Sequence, residues 1–274
     1  MSESKKVFVS GAFDDIKSID LRFLEEASKI GNVTVILWSD SQIESFTGKL
    51  PKFPIAERSY FLNAVRYVHH VVCPQHHFQP DQLPVNEAEL PDVWLDIESP
   101  LNVSREKYCR HHQIDYHVFS REILKGYPEP LPNQSAPDRK KVVATGCYDW
   151  FHSGHVRFTE EASQYGDLYL CLGNDANVEL LKGKGHPLLK QDERRYVAGS
   201  IKFVKQALIT TGAGWLDADP EIRRLKPDFY VVNEDGDKGG KREYCQKLGI
   251  EYLVLKRSPA PGLPSRSSTD LRGF

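Results

Sequence analysis

The chain repeats itself, and that constrains its fold more than any other feature. Gly11-Ala12-Phe13-Asp14 recurs as Gly146-Cys147-Tyr148-Asp149, an offset of 135. The offset holds for Arg22-Phe23 against Arg157-Phe158, and for Glu25-Glu26-Ala27-Ser28 against Glu160-Glu161-Ala162-Ser163. Gly48-Lys49 meets Gly183-Lys184, after which one inserted residue moves the offset to 136. Glu57-Arg58 then pairs with Glu193-Arg194, Pro91-Asp92 with Pro227-Asp228, Tyr108-Cys109 with Tyr244-Cys245, and Arg121 with Arg257. Leu131-Pro132 matches Leu263-Pro264 near the end of each copy. Chance similarity does not keep register over such a length, so one supersecondary plan is written twice.

Within the second copy, apolar runs at 142–145, 168–172, 229–232 and 252–255 read as buried strands. Helical patterns follow the first run and occupy about 192–204 and 241–248. Strands alternating with helices imply a parallel sheet covered on both faces, with right-handed crossovers. The expected fold class is α/β: two tandem Rossmann-like domains with parallel sheets, spanning 1–137 and 138–274. The segment 125–138 is rich in Pro and polar residues and reads as the linker.

Chemistry concentrates at 145–162, TGCYDWFHSGHVRFTEEA. His152 and His155 stand three apart with Gly154 between them, where a strand gives way to a helix. Residues three apart on a helix share a face, and a helix N-terminus favours anions. Glycine there lets a phosphate approach the backbone. Net charge is -2, so no overall basic field exists to hold nucleic acid. Five scattered cysteines without a CxxC pair read as reduced thiols. No stretch approaches membrane-spanning length, so the cytoplasm is the expected compartment and no membrane partner is expected. His76-His77 and His111-His112 lack partners at ligand spacing, so no protein metal site is expected.

GCYDWFHSGH resembles the first signature of the cytidylyltransferases, within the HxGH nucleotidyltransferase superfamily. The two-copy layout is similar to that of ethanolamine-phosphate cytidylyltransferases, although here the degenerate copy comes first. The resemblance implies catalytic roles for His152, His155 and Lys184, the lysine standing in the loop 181–187 with Lys182 as second candidate. It implies nucleotide contacts from Gly146, Cys147, Tyr148, Asp149, Gly154 and Arg194. Arg194 reads equally as half of an ion pair. The last signature resembles Ser267-Ser268-Thr269, a hydroxyl-rich helix start suited to phosphate oxygens. Here the chain departs from the pattern: Arg257 is separated from that run by an insertion, and Arg266 directly precedes it, so either is a candidate phosphate arginine, with Arg266 preferred. Asn233-Glu234-Asp235-Gly236-Asp237 ends a strand and suits the base or second substrate, or is simply an acidic turn.

The first copy carries Lys17-Ser18-Ile19-Asp20 where the second has His152-Ser153-Gly154-His155. Ser135-Ala136-Pro137 stands for Ser267-Ser268-Thr269. An inactive domain that keeps the fold is expected, serving as a built-in partner subunit or a regulatory module. The expected reaction is transfer of CMP from CTP to a small phosphorylated alcohol or sugar, releasing pyrophosphate. Mg²⁺ is expected to arrive with the nucleotide, and the layout leaves room for a homodimer. The alternatives are adenylyl transfer from ATP on the same scaffold, or a non-catalytic nucleotide sensor.

Overall fold

The computed structural model describes residues 4–134 and 136–271. The chain divides into two compact units, Met1–Gly126 and Tyr127–Phe274. The first contains β1 (Lys6–Gly11), α1 (Ser18–Ser28), β2 (Asn32–Leu37), α2 (Asp40–Thr47), α3 (Ile55–Ala64), β3 (His70–Val72), β4 (Val93–Ile97), α4 (Asn102–His111) and β5 (Asp115–Phe119). The second contains β6 (Lys141–Gly146), α5 (Ser153–Ala162), β7 (Asp167–Leu172), α6 (Asp175–Lys182), α7 (Gln191–Gly199), β8 (Val204–Ile209), α8 (Asp219–Leu225), β9 (Phe229–Asn233), α9 (Lys241–Leu248), β10 (Glu251–Leu255) and α10 (Ser268–Leu271).

Each unit forms a five-stranded parallel sheet, ordered β3-β2-β1-β4-β5 in the first and β8-β7-β6-β9-β10 in the second. Registers correspond as well. Val7 pairs with Val33 and Val93, and Val142 with Leu168 and Phe229. The central strands run through the core, with Val7, Val9, Val142, Val143 and Ala144 all inaccessible. Each such aliphatic side chain contributes roughly 1.5–3 kcal/mol when fully buried, alanine less. The helix after each central strand buries the same positions: Ser18, Leu21, Phe23, Leu24 and Ala27 in α1, and Ser153, Val156, Phe158, Thr159 and Ala162 in α5. Substrate sites in such sheets lie beyond the carboxyl ends of the strands. In the second unit that is the side of Gly146, Leu172 and Asn233.

Two features differ from the sequence expectation. The pattern at 192–204 is not one helix: α7 stops at Gly199 and the edge strand β8 follows. Polar Lys205 and Gln206 blur the apolar run that would have announced it. The Pro-rich segment is also not a free linker, because 127–134 belongs to the second unit. The Tyr127 ring lies 6.1 Å from that of Tyr196, and Glu129 pairs with Arg195 at 3.5 Å. A Cβ on Gly199 would stand 2.8 Å from Pro130 Cγ. The Asn133 backbone N–H donates to the Lys205 carbonyl (3.2 Å), and its side chain to those of Lys202 (2.9 Å) and Val204 (3.0 Å). The unit boundary therefore falls at Gly126, not at 137, and Leu131-Pro132 sits with the second unit. Of the hydroxyl-poor run 135–137, Ser135 lies outside the described residues.

One buried guanidinium ties each unit together. Arg194 is inaccessible; it donates to the carbonyls of Leu189 (3.0 Å), Cys147 (2.8 Å) and Gly173 (2.8 Å), and pairs with Asp175 (2.9 Å). Arg58 does the same with Phe53, Ala12, Trp38 and Asp40. The Asp149 carboxylate accepts from the N–H groups of Leu188 (2.8 Å) and Leu189 (2.9 Å), and Asp14 from those of Lys52 (2.7 Å) and Phe53 (2.9 Å). Removing the guanidinium leaves three buried carbonyls without their donor. Arg58→Met is expected to lower stability by about 2–3 kcal/mol, read from the urea midpoint. An unchanged midpoint would show that this network does not hold the fold.

Candidate active site

Gly146 ends β6, and Tyr148 then takes a left-handed backbone with φ 52. This turns the Tyr148 ring back over the strand end, where a Cβ on Gly146 would come 2.8 Å from Tyr148 Cε2. Only glycine fits at 146. His152, extended at φ -141, caps α5: its Nδ1 accepts from the Gly154 N–H at 3.1 Å. An accepting Nδ1 leaves Nε2 as the protonated nitrogen of the neutral ring. A Cβ on Gly154 would lie 2.9 Å from His152 Cε1 and 3.5 Å from the Arg266 carbonyl oxygen, so glycine is demanded there too.

The two imidazoles lie against each other, ring centroids 4.0 Å apart. Tyr148 meets His155 edge-on at 5.3 Å, and Phe151 lies 5.2 Å from it. Burial pushes the His155 pKa well below the ordinary histidine range; His152, Arg257 and Lys182 push it the same way, and the Trp150 backbone opposes them. His155 is therefore neutral at pH 7, able to donate one hydrogen bond.

These rings line a cleft of about 650 Å³ that opens at the carboxyl ends of β6 and β9. Thr145, Gly146, Cys147 and Tyr148 form its floor, and His152, Gly154, His155 and Phe158 one wall. Asn233, Asp235, Gly236, Lys241 and Arg257 form the other. Thr145 and Tyr230 hydroxyls meet at 2.7 Å beneath it. Burial raises the Cys147 pKa, against the opposing pull of the Lys182 and Arg194 charges. Arg257 pairs with Asp235 and donates to the Arg266 carbonyl at 3.1 Å. Lys241 donates to the Gly236 carbonyl at 2.8 Å.

The structure redistributes several expected roles. Lys182, the last residue of α6, is exposed and lies outside the cleft lining, near enough for its charge to act on Cys147 and His155. Lys184 is exposed, between two glycines with positive φ, and does not line the cleft. Arg257 lines the histidine cleft; Arg266 lines only a smaller adjoining pocket that Arg257 and Gly154 share. Arg194 spends its donors on carbonyls and Asp175, and Asp149 is occupied by the turn at 188–189. Both are braces, as their counterparts Arg58 and Asp14 are in a unit without the histidines. Ser268 Oγ donates to the Trp150 carbonyl at 3.3 Å, and the Ser267 carbonyl accepts from the Leu271 N–H at 3.2 Å. The C-terminal turn is thus joined to the histidine loop, although neither serine lines the cleft. The Thr269 side chain lies outside the described residues. Lys241 was not foreseen as a cleft residue; its place directly after the Gly239-Gly240 turn was the available signal.

In the first unit, Lys17, Asp20 and Thr47 stand at the positions of His152, His155 and Lys182. The Asp20 carboxylate accepts from the Lys17 N–H at 2.8 Å and caps α1. Burial raises its pKa. Thr47 donates to the carbonyls of Ile43 and Lys49, both at 2.9 Å. Among the described residues, no group of three or more His, Cys, Asp or Glu side chains is arranged to hold a metal ion. No helix among them is long and apolar enough to cross a membrane.

Residues 143–272 match the family described as cytidylyltransferase-like. The bifunctional protein HldE of Aliarcobacter butzleri is 37% identical over 119 residues, covering 43% of this chain and 24% of that protein. The FAD synthase of Ferroglobus placidus is 37% identical over 120 residues, covering 43% of this chain and 75% of that protein. The FAD synthase of Aciduliprofundum boonei is 33% identical over 136 residues, covering 48% of this chain and 84% of that protein. The chain thus spans about a quarter of the HldE protein and most of each FAD synthase.

A histidine neutral in the fold but free to protonate in the unfolded chain makes stability fall as pH drops below about 6.5. The urea midpoint is expected to decrease from pH 7 to pH 5, and to decrease less in His155→Gln. Equal decreases in the two proteins would mean that His155 is protonated alike in both states.

Proposed function

Since the chain belongs to the cytidylyltransferase-like family of nucleotidyltransferases, we propose that its second unit transfers CMP from CTP to a small phosphorylated alcohol or sugar. The observation that carries this reading is the pair of apposed imidazoles at the start of α5, which line one cleft together with Lys241 and Arg257. An oxygen of the acceptor phosphate attacks the α-phosphorus of the nucleotide. The bond from that phosphorus to the bridging oxygen breaks, and pyrophosphate leaves with the electron pair. The acceptor oxygen is already anionic, so the site needs no strong base. It needs alignment and donors for the charge gathering on the phosphates.

His152 and His155, both with a ring N–H to donate, suit the phosphate oxygens, and their neutrality avoids a cost of burying charge before the nucleotide binds. Lys182 and Arg257 supply the positive charge. Mg²⁺ prefers phosphate and water ligands to a protein cage, so this cleft fits it only as the nucleotide's companion, where it would neutralise phosphate charge. The first unit, with Asp20 and Thr47 in place of an imidazole and the lysine, is read as inactive. The free cysteines suit a reducing, cytoplasmic setting.

ATP is the second reading. A relative named FAD synthase makes a product containing adenine, so relatives at this level of identity are not confined to cytosine. Pyrophosphate release measured with CTP, ATP, GTP and UTP over a set of phosphorylated acceptors decides between them. His155→Ala is expected to lower the rate by about 100-fold or more while the protein stays folded by circular dichroism. Lys182→Ala should cost a comparable factor, and Lys184→Ala less than about threefold by the same electrostatic reasoning. A near wild-type rate from His155→Ala, or the reverse order for the two lysines, would overturn the scheme.

A further inference from the structure

We propose that Trp215 is the platform on which the acceptor's ring rests, and that the acceptor is a ring-bearing phosphate monoester, not an open-chain phosphoalcohol. The inference builds on the transfer reading and adds the acceptor's class.

Single exposed apolar residues are ordinary on protein surfaces. Trp215 differs in how it is mounted. It is 56% exposed, yet the loop that carries it is pinned at Thr210, Thr211, Gly212, Gly214 and Asp217. Asn174 donates from its backbone to Thr210 Oγ1 (3.1 Å) and from its side chain to the carbonyls of Thr210 (3.0 Å) and Gly212 (3.2 Å). Thr210 donates to Asp217 at 2.7 Å, and Thr211 to Glu221 at 2.8 Å. A Cβ on Gly212 would stand 2.5 Å from the Asp217 carbonyl oxygen. The Asn177 amide clamps Gly214 from both sides, accepting from its N–H (2.6 Å) and donating to its carbonyl (3.1 Å). Gly214 itself has φ 77, so the turn that presents Trp215 is specified by a glycine.

This frame follows the carboxyl end of β8, on the substrate side of the sheet. The indole reaches Gly240, where a Cβ would lie 3.5 Å from Trp215 Cη2. The next residue, Lys241, lines the cleft. An aromatic face carried on a braced loop, next to the glycine that precedes the cleft's Lys241, offers contact area at a small cost in side-chain freedom on binding. It suits a flat group, either a heteroaromatic system or the C–H face of a sugar, attached to the phosphate that the cleft receives.

The first unit supplies the comparison. Braces are retained there: Arg58 for Arg194, Asp14 for Asp149, Asp40 for Asp175. The reactive positions are changed: Lys17, Asp20 and Thr47 for His152, His155 and Lys182. At the offset of 136 that brackets this region, Gln79 stands for Trp215. The indole therefore varies with the chemistry and not with the scaffold.

The test uses the full chain with its preferred nucleotide and two acceptor sets. The ring-bearing set is glucose 1-phosphate, mannose 1-phosphate and riboflavin 5′-phosphate; the open-chain set is phosphocholine, phosphoethanolamine and glycerol 3-phosphate. Turnover is expected with a member of the first set, and which member reacts separates the sugar face from the heteroaromatic one. Trp215→Ala should raise the acceptor KM about tenfold with the nucleotide KM unchanged, and Trp215→Phe should restore most of it. Turnover confined to the open-chain set, no turnover with either set, or an acceptor KM in Trp215→Ala within twofold of wild type overturns the inference. Calorimetric titration of the nucleotide alone separates the two readings, since retained binding leaves the transfer reading standing when the acceptor inference fails.

Discussion

Everything at the cleft depends on a side chain that never reaches it. The Arg194 guanidinium gathers carbonyls from the end of β6, the end of β7 and the turn before α7, and so fixes the spacing of three segments whose ends form the site. Water would satisfy those carbonyls only if the core opened. A planar fork with five fixed donors can serve several acceptors at once, which an ammonium group does less well. Asp149 completes the arrangement by holding 188–189 against the loop that leads to His152. Above this frame, His152 spends one nitrogen on the start of α5 and keeps the other for use. The same ring thus fixes the helix start and defines one wall of the cleft.

Much of this was legible in the residues themselves. The repeat gave the strand plan, and the registers of Val7 and Val142 show how literally. The histidine turn was legible because glycine at 146 and 154 and imidazoles at 152 and 155 serve one geometry. Motif membership alone does not distinguish a residue that touches ligand from one that braces the loop, so in the sequence Arg194 reads equally as a nucleotide contact or as half of an ion pair. The signal for bracing was present in the sequence, since Arg194 and Asp149 both persist, as Arg58 and Asp14, where the histidines are gone. Lys182 and Lys184 differ by only two residues. Which of them brings its charge nearer Cys147 and His155 depends on where α6 ends and on the conformation of Gly183 and Gly185, a matter of backbone phase that composition does not carry. Strand β8 was missed because an edge strand with Lys205 and Gln206 lacks a continuous apolar run.

The two units separate structural need from chemical need. A buried network is costly to break at any single point, so it survives in a copy whose cleft has changed. The residues at 152, 155 and 182, by contrast, differ from Lys17, Asp20 and Thr47 at the matching positions. Asp20 illustrates the transition: it takes over the helix start that His152 manages in the second unit, by a carboxylate accepting a backbone N–H instead of a ring nitrogen doing so. The helix start is met there by a different group, a carboxylate in place of an imidazole.

The segment 127–134 packs on α7 through Tyr127, Glu129 and Pro130 and ends at Asn133, which bonds three of the carbonyls at and before the start of β8. An uncovered strand edge is a template for joining another chain. Dissection of the protein at the end of the Pro-rich stretch would strip this cover and leave β8 open to pairing with its own kind. A cut just after Gly126 keeps the cover in place, so the stretch that looks most like dispensable spacer is what keeps the isolated second unit from sticking to itself.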